Sequence, residues 1–359
     1  VTKPRRVVPR MLAPSRILRS TPAQAGGGRE RWSLVDQAED MIAEGSKSFA
    51  MASKLFDRVT RERVWLLYAW CRRCDDIADG QEMGGELAPA TEEEAARRIR
   101  SIRLLTERAF EGLPTADPAF DAFGLVAREC GITREMAEDV IMGFELDAAD
   151  WRPRSEADLA RYCYHVAGAV GVMMAVVMGV DRDDGWMLDR ACDLGLAFQL
   201  ANIARDVSED DKADRRYLPL EWMVEEDIEP GMVMHPHHRQ ELADIVARLI
   251  RRMERHEAWS RLGAAKLPFR SRWAVLSAAR IYGAIGRRVR ELGLHAWDHR
   301  VVIGKREKLR HVAAAFWEAA RNRPEVPGEP PKWDRSTILI DVRMAQPIPP
   351  PPMDPLPEE

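Results

Sequence analysis

Two pairs of aspartates carry the chemistry this 359-residue sequence offers. Asp75 and Asp79 stand four apart in LYAWCRRCDDIAD (67–79), and Asp206 and Asp210 stand four apart in GLAFQLANIARDVSED (195–210). On a helix, positions i and i+4 share a face one turn apart, so each pair projects two carboxylates in one direction. Asp76 lies roughly 100° further round the axis. Arg72 precedes Asp75 by three and Asp76 by four, within reach of both. Above the second pair, Gln199 and Asn202 continue the polar stripe among Leu196, Phe198, Leu200 and Ile203. Amides in apolar surroundings need hydrogen-bond partners, because leaving them unpaired costs about 1–3 kcal/mol each. One acidic pair alone reads as a solvated helix face, and buried amides alone read as struts between helices. Both stripes together suit a hard cation. Mg²⁺ takes oxygen ligands in octahedral geometry and is commonly held by one or two carboxylates plus substrate phosphate. Two pairs facing each other across a cavity can hold several such ions on a diphosphate, with Arg72 and Arg205 adding contacts to phosphate oxygens. The ions then stabilise a departing diphosphate, and the allylic cation left behind needs a dry pocket with aromatic faces.

The elements that must position these residues are helices. Val64, Leu67, Tyr68 and Cys71 recur at i, i+3, i+4 and i+7, and between about residues 33 and 320 the pattern is helical almost throughout. Breakers such as GLPTADPAFD (112–121) and IEPG (228–231) divide it, and no repeat of fixed period is present. The run YCYHVAGAVGVMMAVVMGV (162–180) has 19 residues without a formal charge, barely a spanning length, and contains Gly168, Gly171 and Gly179. It reads as a buried helix of a large core rather than a membrane span. The expected organisation is a basic, disordered segment at 1–32, a helical domain at 33–322 and a Pro-rich tail at 323–359. Eleven of the 23 prolines fall after residue 323, a composition that cannot build a core. STILIDV, within that tail, reads as a short docking strand.

A net charge of −4 gives no global attraction to nucleic acid. Five cysteines form no framework, and the CxxC of Cys71 and Cys74 lacks a second pair at zinc spacing, which fits a reduced, cytosolic setting. HPHH (235–238) reads as a loop without regular ligand spacing. The first 29 residues carry seven Lys and Arg and no acid, a candidate contact for an anionic membrane.

The chain resembles the squalene/phytoene synthase family, and most of all its bacterial members that make phytoene. The resemblance rests on GSKSF (45–49), LYAWCRRCDDIAD, YCYHVAGAVG (162–171), GLAFQLANIARDVSED, RRYLP (215–219) and AARIY (278–282), in the expected order over about 240 residues. It implies an all-α isoprenoid synthase fold, one large helical domain around a central cavity. It also implies head-to-head condensation of two geranylgeranyl diphosphates through prephytoene diphosphate to phytoene. Carried over position by position, Asp75, Asp79, Asp206 and Asp210 would hold Mg²⁺ (or Mn²⁺), joined by Asn202. Ser46, Ser48 and Arg72 match positions near one diphosphate, and Gln199, Asn202 and Arg205 match the polar stripe. Tyr164, Val166, Gly168 and Gly171 match the helix lining the prenyl channel. Tyr217 and Tyr282 match aromatic positions at the reaction centre, and Arg300 and Lys305 match late basic residues that reach phosphate. Where family members commonly have a glycine, this chain has Asp214. No NADPH is expected.

The nearest alternative is a relative using farnesyl diphosphate to make squalene, dehydrosqualene or hydroxysqualene. An alternative of another class is a non-catalytic, membrane-associated assembly factor, which the retained carboxylates disfavour. Chain-elongating prenyltransferases carry RRG downstream of their aspartates, where ADGQEMGG stands here, and terpene cyclases have a second stripe whose spacing NIARDVSED does not fit. Exposing a product as apolar as phytoene to water costs roughly 0.8 kcal/mol per CH₂. The expected setting is therefore cytoplasmic, peripheral at the inner face of a membrane, with handover to a phytoene desaturase and no nucleic-acid partner.

Overall fold

A computed structural model describes residues 22–80, 91–229 and 231–344, without the side chains at 47, 48, 343 and 344. Among the described residues there is no strand. The helices are α1 (Arg31–Gly45), α2 (Lys47–Ser53), α3 (Arg58–Ala78), α4 (Glu92–Phe110), α5 (Pro118–Cys130), α6 (Arg134–Ala148), α7 (Glu156–Cys163), α8 (Ala169–Val177), α9 (Gly185–Lys212), α10 (Leu220–Glu225), α11 (Arg239–Ala264), α12 (Phe269–Leu292), α13 (Lys305–Arg321) and α14 (Arg335–Met344).

Helix α9, 28 residues long, is the central strut. The Asp184 carboxylate caps it by accepting from the Met187 amide at 3.1 Å. Its apolar surround packs against α8, α11 and α12, leaving Leu196, Leu200, Ala201 and Ala204 buried. Helix α3 starts in the same way, with Asp57 accepting from the Thr60 amide at 3.0 Å, and ends at Asp79. Each acidic pair thus sits near the C-terminal end of a long helix whose body is anchored in the core.

The uncharged run divides into the end of α7, a π-helical turn at Tyr164–Gly168 and α8. In the turn, the Ala169 amide donates to the Tyr164 carbonyl, an i→i+5 bond. The helical stretch Glu156–Val177 is apolar and long enough to cross a membrane, but most of it is buried within the fold. It is a core helix. Gly171 and Gly195 make its contact with α9 possible. A Cβ on Gly195 would strike the Ala167 carbonyl, and one on Gly171 would strike the Ala191 carbonyl.

Two boundaries differ from the sequence expectation. Residues 22–32 lie against the domain: the Gln24 amide donates to the Gly112 carbonyl at 2.7 Å, and Arg29 pairs with buried Asp121 at 2.8 Å. Residues 1–21 lie outside the described part. At the other end, STILIDV belongs to α14, a helix rather than a strand, and buries Ile338. Trp333 precedes it, only 5% exposed and packed in the main core. Proline content predicts an extended connection here, and residues 323–334 are that, held down by Trp333, by the bond of Lys332 to Glu156 and by α14.

Candidate active site

A cavity of about 630 Å³ runs along α9. At one end it reaches Ser46, Arg72, Asp75, Asp147, Gln199 and Asn202. At the other it meets Arg190, sixteen residues before Asp206 on the same helix and hence about 24 Å away at 1.5 Å per residue. Between them the wall is apolar, formed by Phe49, by Val166, Val170, Gly171 and Met174, and by Ala278, Ile281 and Tyr282 of α12. Arg190 closes the distal end with its charge spent, paired at 2.9 Å with buried Asp193, which also takes a 2.8 Å contact from His256 Nδ1.

The two acidic stripes face each other across the mouth. Arg215, beyond the second pair, reaches back to Asp79 of the first at 3.8 Å. Burial pushes the Asp75 carboxyl up to about 6, with the Asp79 charge adding to it and Arg72, bonded at 3.0 Å, opposing it. Burial likewise pushes Asp210 up to about 7, helped by Asp206. Asp206 itself is also raised by burial, but its bonds to Arg205 and Arg300 outweigh that and hold it below the ordinary carboxylate range.

Asp147 of α6 escaped the sequence reading. It lines the cavity mouth between the pairs, and its charge raises both Asp75 and Asp210. It accepts from the Tyr162 hydroxyl at 2.9 Å and the Tyr217 hydroxyl at 3.3 Å, and those rings stack at 4.9 Å. A signal was available: Val140, Gly143, Phe144 and Asp147 recur at three, one and three residues along one cavity-lining face. Arg215 belongs to RRYLP, and nothing in that motif's spacing points it at Asp79.

The other predicted residues divide. Ser46 lines the mouth while its Oγ caps α2, accepting from the Phe49 amide at 3.3 Å. Ser48 is on α2, with its side chain outside the described set. Val166 and Gly171 line the channel, and Tyr282 lines it stacked on Phe198 at 4.2 Å. Tyr164 does not line it, contrary to expectation. Its hydroxyl donates to Asp139 at 2.5 Å and its ring is buried, because two residues before Val166 it points roughly 200° round the helix from the channel face. Gly168 also faces away, against Cys192 Sγ. Arg300 reaches Asp206 at 3.0 Å, whereas Lys305 stands exposed in the first turn of α13. Asp214 adopts φ +55°, the left-handed region where glycine is unstrained and Asp is tolerated, and pairs with Arg152 at 3.0 Å and Arg216 at 2.9 Å. Burial pushes the Cys71 thiol up to about 12, and both it and Cys74 are free, protonated cysteines.

Among the described residues, no three His, Cys, Asp or Glu side chains form a ready-made cation cage. The oxygen-only pairs nevertheless suit Mg²⁺, whose remaining octahedral positions are filled by phosphate and water.

Residues 42–307 match the model of the squalene/phytoene synthase family. The chain belongs to that family. It is 49% identical over 288 residues to a phytoene synthase of Pseudescherichia vulneris, covering 80% of this chain and 93% of that one. It is 43% identical to a 15-cis-phytoene synthase of Pantoea ananas, over 84% and 98% of the two chains. Among solved structures, a dehydrosqualene synthase in complex with ligand superposes with a TM-score of 0.72 at 25% identity, over 81% of this chain and 98% of that one. The all-α isoprenoid synthase fold and prenyltransferase activity follow from this membership. Squalene/phytoene synthase members use prenyl diphosphates, and the channel with an acidic mouth is the part of this chain that suits them.

Proposed function

We propose that the chain is a phytoene synthase, joining two geranylgeranyl diphosphates head to head through prephytoene diphosphate and releasing two diphosphates. The observation that carries this reading is the pair of opposed carboxylate stripes at the mouth of a long apolar channel, in a chain close to half identical to a phytoene synthase. Asp75 and Asp79 on α3, with Asn202, Asp206 and Asp210 on α9, would hold Mg²⁺ or Mn²⁺, which when bound supplies Lewis-acid stabilisation of the departing diphosphates. The chain's own residues do the rest. Arg72 and Arg215 stand at the mouth with donors directed at anionic oxygen, and Arg205 and Arg300 stand behind Asp206. The channel walls exclude water from both prenyl chains. The stacked faces of Tyr282 and Phe198 lie beside the polar stripe, where a carbocation needs π density and no nucleophile. Asp147 holds Tyr162 and Tyr217 in place.

A farnesyl-using reading draws on the fold likeness to dehydrosqualene synthase. The greater sequence identity to phytoene synthases favours the C20 substrate. Purified protein incubated with Mg²⁺ and each diphosphate separately decides between them by product extraction: a C40 hydrocarbon with a conjugated triene core from the C20 substrate is expected. A C30 product made only from the C15 substrate would move the enzyme to the alternative, and no product from either would favour a non-catalytic role. The setting we propose is cytoplasmic and membrane-peripheral, with a desaturase as recipient of the product.

A further inference from the structure

Helix α13 presents to solvent a face that the catalytic reading leaves unexplained. Its inner face is held by Ala315 and Ala319, both fully buried, and by Trp273, whose indole donates to the Val312 carbonyl at 2.9 Å. The exposed positions follow helical spacing and include Arg306, Leu309, Arg310, Phe316, Trp317 and Arg321. Leu309 is 61% and Trp317 63% exposed. No carboxylate stands on that face. The helix's two acids turn inward: Glu307 pairs with Arg288 at 3.3 Å, and Glu318 bonds Arg280 at 2.7 Å and also pairs with Arg261. The apolar surface continues onto α12 through Phe269, 39% exposed and edge-to-face with Phe316 at 5.5 Å. From Phe269 to Arg290, α12 has no acid at all. In a molecule of net charge −4, this is a local segregation of cations and apolar side chains onto one side.

We propose that the outward face of α13, with Phe269, is the surface by which the enzyme lies on an anionic lipid bilayer. Basic residues beside Trp, Phe and Leu on one helix face are what binds in the headgroup plane, charges toward lipid phosphate and rings toward the acyl boundary. A second copy of the chain fits worse, because a two-fold contact would set Arg306, Arg310 and Arg321 against like charges. The placement serves the reaction. Helix α12, to which α13 is packed, supplies Ala278, Ile281 and Tyr282 to the channel wall, so docking brings that wall to the membrane. That purpose, though not the surface itself, rests on the hydrocarbon product proposed above.

The experiment uses the full chain with two double variants, Leu309→Ala with Trp317→Ala, and Arg306→Glu with Arg310→Glu. Co-sedimentation is measured with vesicles of phosphatidylcholine and phosphatidylglycerol and with phosphatidylcholine alone, alongside turnover in detergent and helicity. Each variant should lose about tenfold or more of its affinity for the anionic vesicles while keeping helicity and detergent turnover. Wild-type Trp emission should shift to the blue on binding only the anionic vesicles. Anionic-vesicle binding equal to wild type in both variants overturns the proposal, since the basic N-terminal segment is intact in each. A wild-type dimer that Leu309→Ala with Trp317→Ala dissociates, with vesicle binding kept, would reassign the face to a second copy. Absence of product in detergent would count against the reaction reading and leave the vesicle result standing.

Discussion

Asp147 links the two halves of the mouth. Burial raises it, while the hydroxyls of Tyr162 and Tyr217 and the charge of Arg215 support its ionised form. Asp147→Asn keeps an acceptor for both tyrosines and removes the charge, so it separates scaffold from electrostatics. We expect kcat/KM to fall by about ten- to a hundredfold with helicity retained. Unchanged kinetics would reduce Asp147 to a strut for two rings. His165 makes a different prediction. Burial lowers it from 6.5 to about 4, although its Nδ1 meets the Asp139 carbonyl at 2.7 Å. A depressed base means that the unfolded chain takes up the proton first. Its contribution is therefore present above about pH 6.5 and is lost as pH falls toward 4, about 2 kcal/mol of it between pH 7 and 5. Urea midpoints should show this slope and should show it flattened in His165→Asn. An equal slope in the variant would place the acid sensitivity elsewhere.

At the scale of elements, geometry depends on how closely α8 and the π-helical turn approach α9. That approach brings Val166 and Gly171 into the same channel lining as Gln199 and Asn202. Gly195→Ala puts a methyl group into the Ala167 backbone carbonyl, which no rotamer change relieves. Overpacking of this kind costs about 1–3 kcal/mol. The helices should separate slightly, so the variant is expected to lose both thermal stability and turnover. Full stability with full activity would show that the crossing has slack. Tyr164 and Gly168, four residues apart, share the face opposite Val166 and Val170, so positions matched by motif fall on two different sides.

At the scale of the molecule, the C-terminal strap closes the fold. Trp259 donates its indole N–H to the Glu329 carbonyl at 2.8 Å, Lys332 bonds buried Glu156 at 3.0 Å, and Arg335 pairs with Asp189 at 2.8 Å. Trp333 lies 5.7 Å from the His256 ring, directly over the buried Arg190, Asp193 and His256 group at the distal end of the channel. Trp333→Ala should cost about 3–5 kcal/mol, as for a buried aromatic, and ending the chain at residue 322 should cost at least as much. Ending it at 344 should leave the melting temperature near wild type. Equal melting temperatures for the 322 and 344 forms would mean that the strap adds no stability.

Much was legible without coordinates, and for local reasons. Helical spacing put Asp75 with Asp79 and Asp206 with Asp210 on shared faces, and unbroken apolar surroundings marked α9 as buried, because both follow from 3.6 residues per turn. Gln199 and Asn202, continuing the stripe above Asp206, line the cavity that the two acidic pairs together called for. What the linear chain cannot carry is which faces meet. The Arg215 to Asp79 contact, the seating of Asp147 against Tyr162 and Tyr217, the bond of Tyr164 to Asp139 and the docking of Trp333 all join residues distant in sequence. Spacing along a helix is set by backbone geometry that every residue shares; contacts between helices depend on packing of the whole set, and only the folded molecule decides them.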